Sequence, residues 1–206
     1  MVSSNTTISF EKEKIIAVEG KDDKLFFERL LEKLKIFDIQ VWSMESKGEF
    51  KNKFPDIQLV SGFPIVKKVV AILDADNSYQ NSKQSIEQTI NRVLKAPSNP
   101  KEFSSSNPAV AYFIMPNNRD KGMMETLCVI SQKNNPAMKQ VDRFIEAVNS
   151  DNAIKEKPKN EDKAKAQAYL AIMPKIAYGM SYGLVKNYWD LSHIDFKELI
   201  NFLKSI

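Results

Sequence analysis

Several absences narrow this chain before any motif is read. It has one cysteine and one histidine, so Cys128 cannot form an internal disulfide and suits a reducing cytoplasm. Without cysteine pairs or a second histidine, a zinc site is excluded. Cys128 sits in Leu127-Cys128-Val129-Ile130, an apolar setting that suits a buried structural thiol rather than a nucleophile. The first seven residues, Met1 to Thr7, have neither a basic start nor an apolar stretch, so no secretory signal is expected. No run approaches the ~20 apolar residues that cross a bilayer. These absences together predict a cytoplasmic protein with no membrane contact. No G-x-G-x-x-G follows an apolar run and no G-x-x-x-x-G-K-[ST] occurs, which argues against dinucleotide binding and P-loop ATPases.

What is present is ordinary in bulk and pointed in detail. The 206 residues, 43% hydrophobic and 27% charged, suffice for one substantial core or one domain with an appendage. The net charge of +4, from 30 basic and 26 acidic residues, is compatible with nucleic acid but does not demand it. Two apolar runs, Lys14–Val18 and Lys68–Leu73, read as buried strands. The first closes in Val18-Glu19-Gly20-Lys21-Asp22-Asp23 and the second in Asp74-Ala75-Asp76. Each run therefore delivers carboxylates to its carboxyl end, where open α/β sheets bind ligands. Asp22 or Asp23 suits a helix cap, since Leu25-Phe26-Phe27 opens an apolar helical pattern. Asp74 and Asp76 share one side of an extended chain, and a cap needs only one of them. Glu19 is a poor N-cap and precedes a glycine suited to a tight turn. Converging carboxylates repel unless a cation lies between them, and hard oxygen donors suit Mg²⁺.

Strand and helix patterns alternate along the chain. Helices are expected over about 23–34, 49–59 and 82–94, with Pro55 able to break the second. Further strands are expected at 39–44 and 109–115. Four strands separated by helices predict a mainly parallel sheet covered on both faces. The Asn-rich loop after the last strand carries Arg119 and Lys121, both suited to phosphate, and leads to Glu125. The alternative for Glu125 is a favourable position at a helix N-terminus. Lys21 and Lys47 occupy comparable strand-end loops, where a lysine meets phosphate or water. Residues 126–206 read as helical: Val141, Phe144, Ile145 and Val148 form a stripe, and 155–163 reads as an exposed loop. A helix over about 163–173 follows. Asp195 and Glu198 stand at capping-box spacing in the last helix, with His193 ahead of it as a cap or surface residue. Tyr178, Tyr182, Tyr188 and Trp189 read as packing residues, with base stacking the alternative.

A Glu-Gly ending the first strand and an Asp-x-Asp ending a later one resemble the signature of the Toprim domain. Topoisomerases, primases, recombination-repair proteins and OLD-family nucleases share that domain. The chain looks most like small stand-alone Toprim-like proteins and the Toprim domain of OLD-family nucleases. The likeness covers about residues 10–130. It implies a Rossmann-like, four-stranded core over residues 1–130 and a helical C-terminal extension over 131–206. It also implies Glu19 as an acidic ligand and general acid/base, with Asp74 and Asp76 as Mg²⁺ ligands (Mn²⁺ as a substitute). Glu125 would be a second-metal ligand or water-orienting base, as an additional acid is in OLD-type nucleases. An Asp-x-Asp also opens phosphatases of the haloacid dehalogenase type, but Asn77-Ser78-Tyr79 departs from their pattern and Glu19-Gly20 would go unexplained. Nothing in the tail resembles the strand-passage apparatus of topoisomerases or the zinc module of primases. The expected function is Mg²⁺-dependent phosphodiester chemistry on DNA or RNA, endonucleolytic and with water as attacker. The alternative is a non-catalytic Toprim-fold binding or regulatory module in a repair or phage-defence complex. A protein partner or homo-oligomer is compatible with either.

Overall fold

The computed structural model describes residues 9–44 and 50–206. Four parallel strands form one sheet: β1 (Lys14–Val18), β2 (Ile39–Ser43), β3 (Lys68–Asp74) and β4 (Ala109–Met115). Their order is β2-β1-β3-β4, with Val18 beside Ile72 and Asp74 beside Met115. All strands run the same way, so the expected, mainly parallel sheet is wholly parallel. Chain order reverses between β1 and β3: one crossover leads outward to β2 and another to β4. Such a switch point opens a crevice at the carboxyl ends of the two central strands. Glu19 and Asp74 stand there.

Successive side chains on a strand face opposite sides of the sheet, and this chain divides its core accordingly. Ile15, Ala17, Val69, Ala71, Leu73, Val110, Tyr112 and Ile114 belong to one buried cluster. It is covered by α2 (Phe50–Lys53), two 3-10 turns (Phe54–Leu59 and Phe63–Ile65) and α3 (Tyr79–Leu94). Pro55 does break the expected 49–59 helix: the α-helical turn ends at Lys53 and a 3-10 turn carries on from Phe54. Ile16, Val18, Val70, Ile72, Ala111, Phe113 and Met115 face the other way. That side receives α1 (Lys21–Lys33) and every later helix: α4 (Met124–Ser131), α5 (Pro136–Ser150), α6 (Glu161–Ala171), α7 (Met180–Val185) and α8 (Ile194–Ser205).

Residues past 130 therefore share one continuous apolar cluster with the sheet. Phe202 of α8 stacks on Phe113 of β4 with centroids 5.5 Å apart, and Phe196, Leu199 and Leu203 are buried beside it. Several local expectations shift here. In α5 the buried stripe is Met138, Val141 and Ile145, while Phe144 is exposed. The N-cap of α8 is His193, whose Nδ1 accepts from the Asp195 amide. Asp195 and Glu198 form no capping box there, because both are drawn to Arg119. Residues 161–163 belong to α6 rather than to a loop, because the Asn160 side chain accepts from the Lys163 amide and starts the helix early. Trp189 is buried as expected, and Gly183 is needed beside it: a Cβ there would fall 2.7 Å from the indole nitrogen. Tyr178 and Tyr182, in contrast, are 90% and 41% exposed, so packing does not account for them. Among the described residues no helix is long and apolar enough to cross a membrane.

Because α8 completes the same core as the strands, Phe196→Ala should destabilise the whole molecule by about 3–5 kcal/mol. Urea unfolding followed by tryptophan fluorescence and by far-UV circular dichroism should give one coincident transition, shifted to lower denaturant. Separate transitions for sheet and tail would show that the extension unfolds independently.

Candidate functional site

The chain builds its acidic crevice with three local devices. After β1, α1 starts at Lys21, two residues earlier than its apolar pattern suggests, with Gly20 as N-cap. The Asp23 carboxylate accepts from the Gly20 amide at 2.8 Å, so Asp23 is a reciprocal cap, as anticipated, though through the third helical position. Gly20 has φ −109°, an ordinary extended value. Its glycine is favoured by close approach instead, because a Cβ would lie 3.1 Å from Asp23 Oδ2. After β3, Asp76 takes a left-handed φ of 48° and bonds in both directions with Gly122, at 2.8 Å each way. This clasp ties the loop after β4 to the loop after β3. Gly122 has φ 130°, and a Cβ would strike Thr126 Oγ1 at 2.6 Å. The third device follows directly: the Met124 amide at the start of α4 donates to Asp74 Oδ1 at 3.1 Å. A helix N-terminus thus faces the half-buried carboxylate.

Glu19, Lys21, Asp23, Asp74, Asp76, Glu125 and Lys163 all line a depression of about 220 Å³. Burial pushes the Asp74 carboxyl well above the usual carboxylate range, and the neighbouring charges of Asp23, Glu19, Glu125 and Asp76 push it further the same way. A like charge nearby disfavours ionisation just as desolvation does. Glu125, 8% exposed, forms an ion pair with Lys163 of α6 at 3.3 Å. The start of α6 is fastened to α4 by a Thr126–Asp162 hydrogen bond of 2.6 Å, which delivers Lys163 from the distant tail. The tail is part of the site.

Two contributors were missed in sequence. Asp23 reads in sequence only as a cap, although its four-residue spacing from Glu19 across a strand–helix junction is a signal for it. Lys163 lay in a mixed-charge run with no local signal. Among the expected phosphate contacts, Lys21 is exposed at the first position of α1 and lines the acidic depression. Arg119 does not line it: its guanidinium is held by Asp195 at 2.8 Å and Glu198 at 2.9 Å. Lys121 is exposed in the same loop and also stands outside that lining. Lys47 lies outside the described residues.

The donor chemistry fits a hard cation, with carboxylate oxygens and neither thiolate nor imidazole. Among the described residues no group of three His, Cys, Asp or Glu side chains forms a ready-made metal cage. Mg²⁺ makes a smaller demand, since it usually keeps several waters and takes one or two carboxylates. Asp74 with Asp76 or Glu19 meets that demand in kind.

Fold and site together define a parallel α/β protein with an acidic crevice at its topological switch point. The chain belongs to the family described as "Protein of unknown function (DUF3226)", whose model matches residues 13–206. No curated protein matches it. Among solved structures it is similar to the C-terminal region of the Xanthomonas campestris pv. campestris OLD protein. That match has 13% identity and a TM-score of 0.48, covering 95% of this chain and 96% of the other. It is also similar to the C-terminal region of the Burkholderia pseudomallei OLD protein, with 15% identity and a TM-score of 0.47, covering 95% and 98%. At such identities and scores neither likeness bears on what this chain does.

The raised Asp74 pKa carries a definite sign. The folded state holds the Asp74 proton to higher pH than the unfolded state does. Its contribution to stability is thus complete below about 3.8, the ordinary aspartate value, and is lost as pH climbs through the raised value. In EDTA, the metal-free protein should lose stability over this range. Asp74→Asn should lack that component of the loss and be the more stable protein at pH 7. Urea unfolding of both proteins from pH 4 to 8 checks this; parallel curves would show that Asp74 bears no such strain.

Proposed function

We propose that this chain performs Mg²⁺-dependent phosphodiester chemistry on nucleic acid, as a Toprim-type endonuclease. The observation that carries the reading is the acid cluster around Asp74. Glu19, Asp23, Asp76 and Glu125 all act on one half-buried carboxylate at the switch point. A fold that only needed caps would not gather so much like charge where desolvation makes it costly. Asp74 with Asp76 or Glu19 would hold the ion, which when bound supplies charge neutralisation at the phosphoryl oxygens and a more acidic water.

The chain's own groups divide the remaining work. Glu19, at the mouth of β1, exchanges a proton with the leaving or attacking oxygen. The Met124 amide holds Asp74 Oδ1 and fixes the carboxylate's orientation. Lys163 pairs with Glu125 beside the acids and offers its ammonium to a phosphate oxygen. Lys21, at the rim, meets the flanking backbone.

A non-catalytic partner or regulatory module is the second reading, and one observation favours it. Ile172, Ile176, Tyr178, Tyr182 and Val185 are all exposed on the segment running from the end of α6 through α7, and exposed apolar side chains in such number mark interaction surfaces.

Purified protein incubated with Mg²⁺ or Mn²⁺ and mixed DNA and RNA should cut a nucleic acid, with EDTA abolishing cleavage. Glu19→Gln should slow cleavage about a hundredfold or more while leaving much of the binding intact. Asp74→Asn should abolish cleavage and also the rise in melting temperature that Mg²⁺ causes in the wild type. Cleavage unchanged in Glu19→Gln would place the chemistry elsewhere. No cleavage by the wild type, with self-association in sedimentation velocity that Ile176→Ser/Tyr178→Ser removes, would favour the second reading.

A further inference from the structure

The strand-end acids border two depressions. Glu19, Asp74 and Asp76 line the 220 Å³ acidic one and also a larger one of about 360 Å³ on the α3 side of the sheet. The chemistry of the second is different. Beyond the shared acids its walls are Asn81, Ser82 and Ser85 of α3, the apolar side chains of Leu73, Phe50 and Ile86, and Lys51 of α2. We propose that it is a subsite for one unpaired nucleoside of the strand whose phosphate lies at the acids.

Local structure explains why these groups stand together. Ser78 caps α3, so the first turns present Asn81, Ser82 and Ser85, while Ile86 and Ile90 are buried in the core. Ser82 Oγ donates to the Ala75 carbonyl at 3.1 Å, fixing α3 against the loop that carries Asp76. On the opposite wall, Arg92 donates to the Lys51 carbonyl at 2.6 Å, and Phe50 packs against Phe54 with centroids 4.7 Å apart. Both walls are therefore held by α3 itself.

The lining suits a nucleoside better than a second cation or a bare phosphate. Neutral amide and hydroxyl groups can exchange hydrogen bonds with a sugar and a base edge. Phe50 and Leu73, each 5% exposed, give it a small apolar floor, and Lys51 can pair with an adjoining phosphate. A volume near 360 Å³ stands at the small end of ligand sites, which start at about 300 Å³. It has room for one nucleoside, which makes an unpaired base the occupant it suits. The subsite rests on the phosphodiester reading for its phosphate position, but its own evidence is the polar wall of Asn81, Ser82 and Ser85 facing Lys51 across a space of nucleoside size.

The test uses the full chain with Mg²⁺ and fluorescence anisotropy. The probes are a labelled oligothymidylate and a hairpin duplex with the same number of phosphates, both built with cleavage-resistant phosphorothioate links and each shown intact by electrophoresis afterwards. The wild type should bind the single strand at least tenfold more tightly than the hairpin. Ser85→Trp, which fills the cavity from a half-buried helix position, should lose at least tenfold for the single strand while keeping the wild-type Mg²⁺ melting shift. Asn81→Ala/Ser85→Ala removes hydrogen-bonding groups without adding bulk and should lose several-fold; it decides the matter if the tryptophan variant does not fold. Equal affinity for hairpin and single strand, or single-strand binding unaffected by the folded variants, overturns the subsite even if the protein cleaves. Single-strand binding sensitive to Ser85→Trp in a protein with neither cleavage nor a Mg²⁺ shift would keep the subsite and overturn the phosphodiester reading. A wild type that binds neither probe overturns both.

Discussion

Like charge held at the mouth of a parallel sheet is the interaction on which the rest of this molecule depends. Burial and four neighbouring carboxylates act on Asp74 together, and every element around it can be understood as either holding that arrangement or offsetting it. The Met124 amide and the start of α4 offset part of the charge. Lys163 offsets more through Glu125. The Asp76–Gly122 clasp holds the acids close despite their repulsion. Such an arrangement has a cost in the free protein that a set of helix caps would not require.

The helical tail belongs to this balance and to the core. It covers one face of the sheet with Phe196, Leu199 and Phe202, and through Thr126 and Asp162 it fixes the start of α6 beside α4. The cation nearest Glu125 is thereby supplied by a residue some forty positions away along the chain. Arg119 shows the converse: a residue in the loop beside the acids is pulled to the start of α8 by two carboxylates. Proximity in sequence and participation in the site are thus decoupled in both directions.

Asymmetry between the two sheet faces gives the crevice its two characters. On the side of α4 and α6 the lining is charged and compact, with Asp23, Glu125 and Lys163. On the side of α2 and α3 it is roomier and lined by amide and hydroxyl groups, Asn81, Ser82 and Ser85, with Lys51 as its own charged residue. The alternation of side chains along β1 and β3 forces this division, because each strand feeds two separate cores. One edge of one sheet thereby carries two different surfaces separated by a row of acids.

Much of this was legible in the residues alone. Apolar runs bounded by Gly, Pro and Asp gave β1, β3 and β4 nearly to the residue, because a strand buried on both faces has an unbroken apolar pattern. The same runs showed that Glu19 and Asp74 sit at strand ends, and a parallel sheet leaves few places for such ends to meet. Long-range contacts carry no comparable local signal. Lys163 stood in a charge run like any solvated segment, Arg119 beside a plausible phosphate site, and Tyr178 and Tyr182 among aromatic residues of which Trp189 is truly buried. Sequence periodicity reports which face of an element is apolar; it does not report which partner a long charged side chain reaches. The fold and the acids at its mouth were written in local pattern, while the counter-charge, the clasp and the second depression were decided by packing.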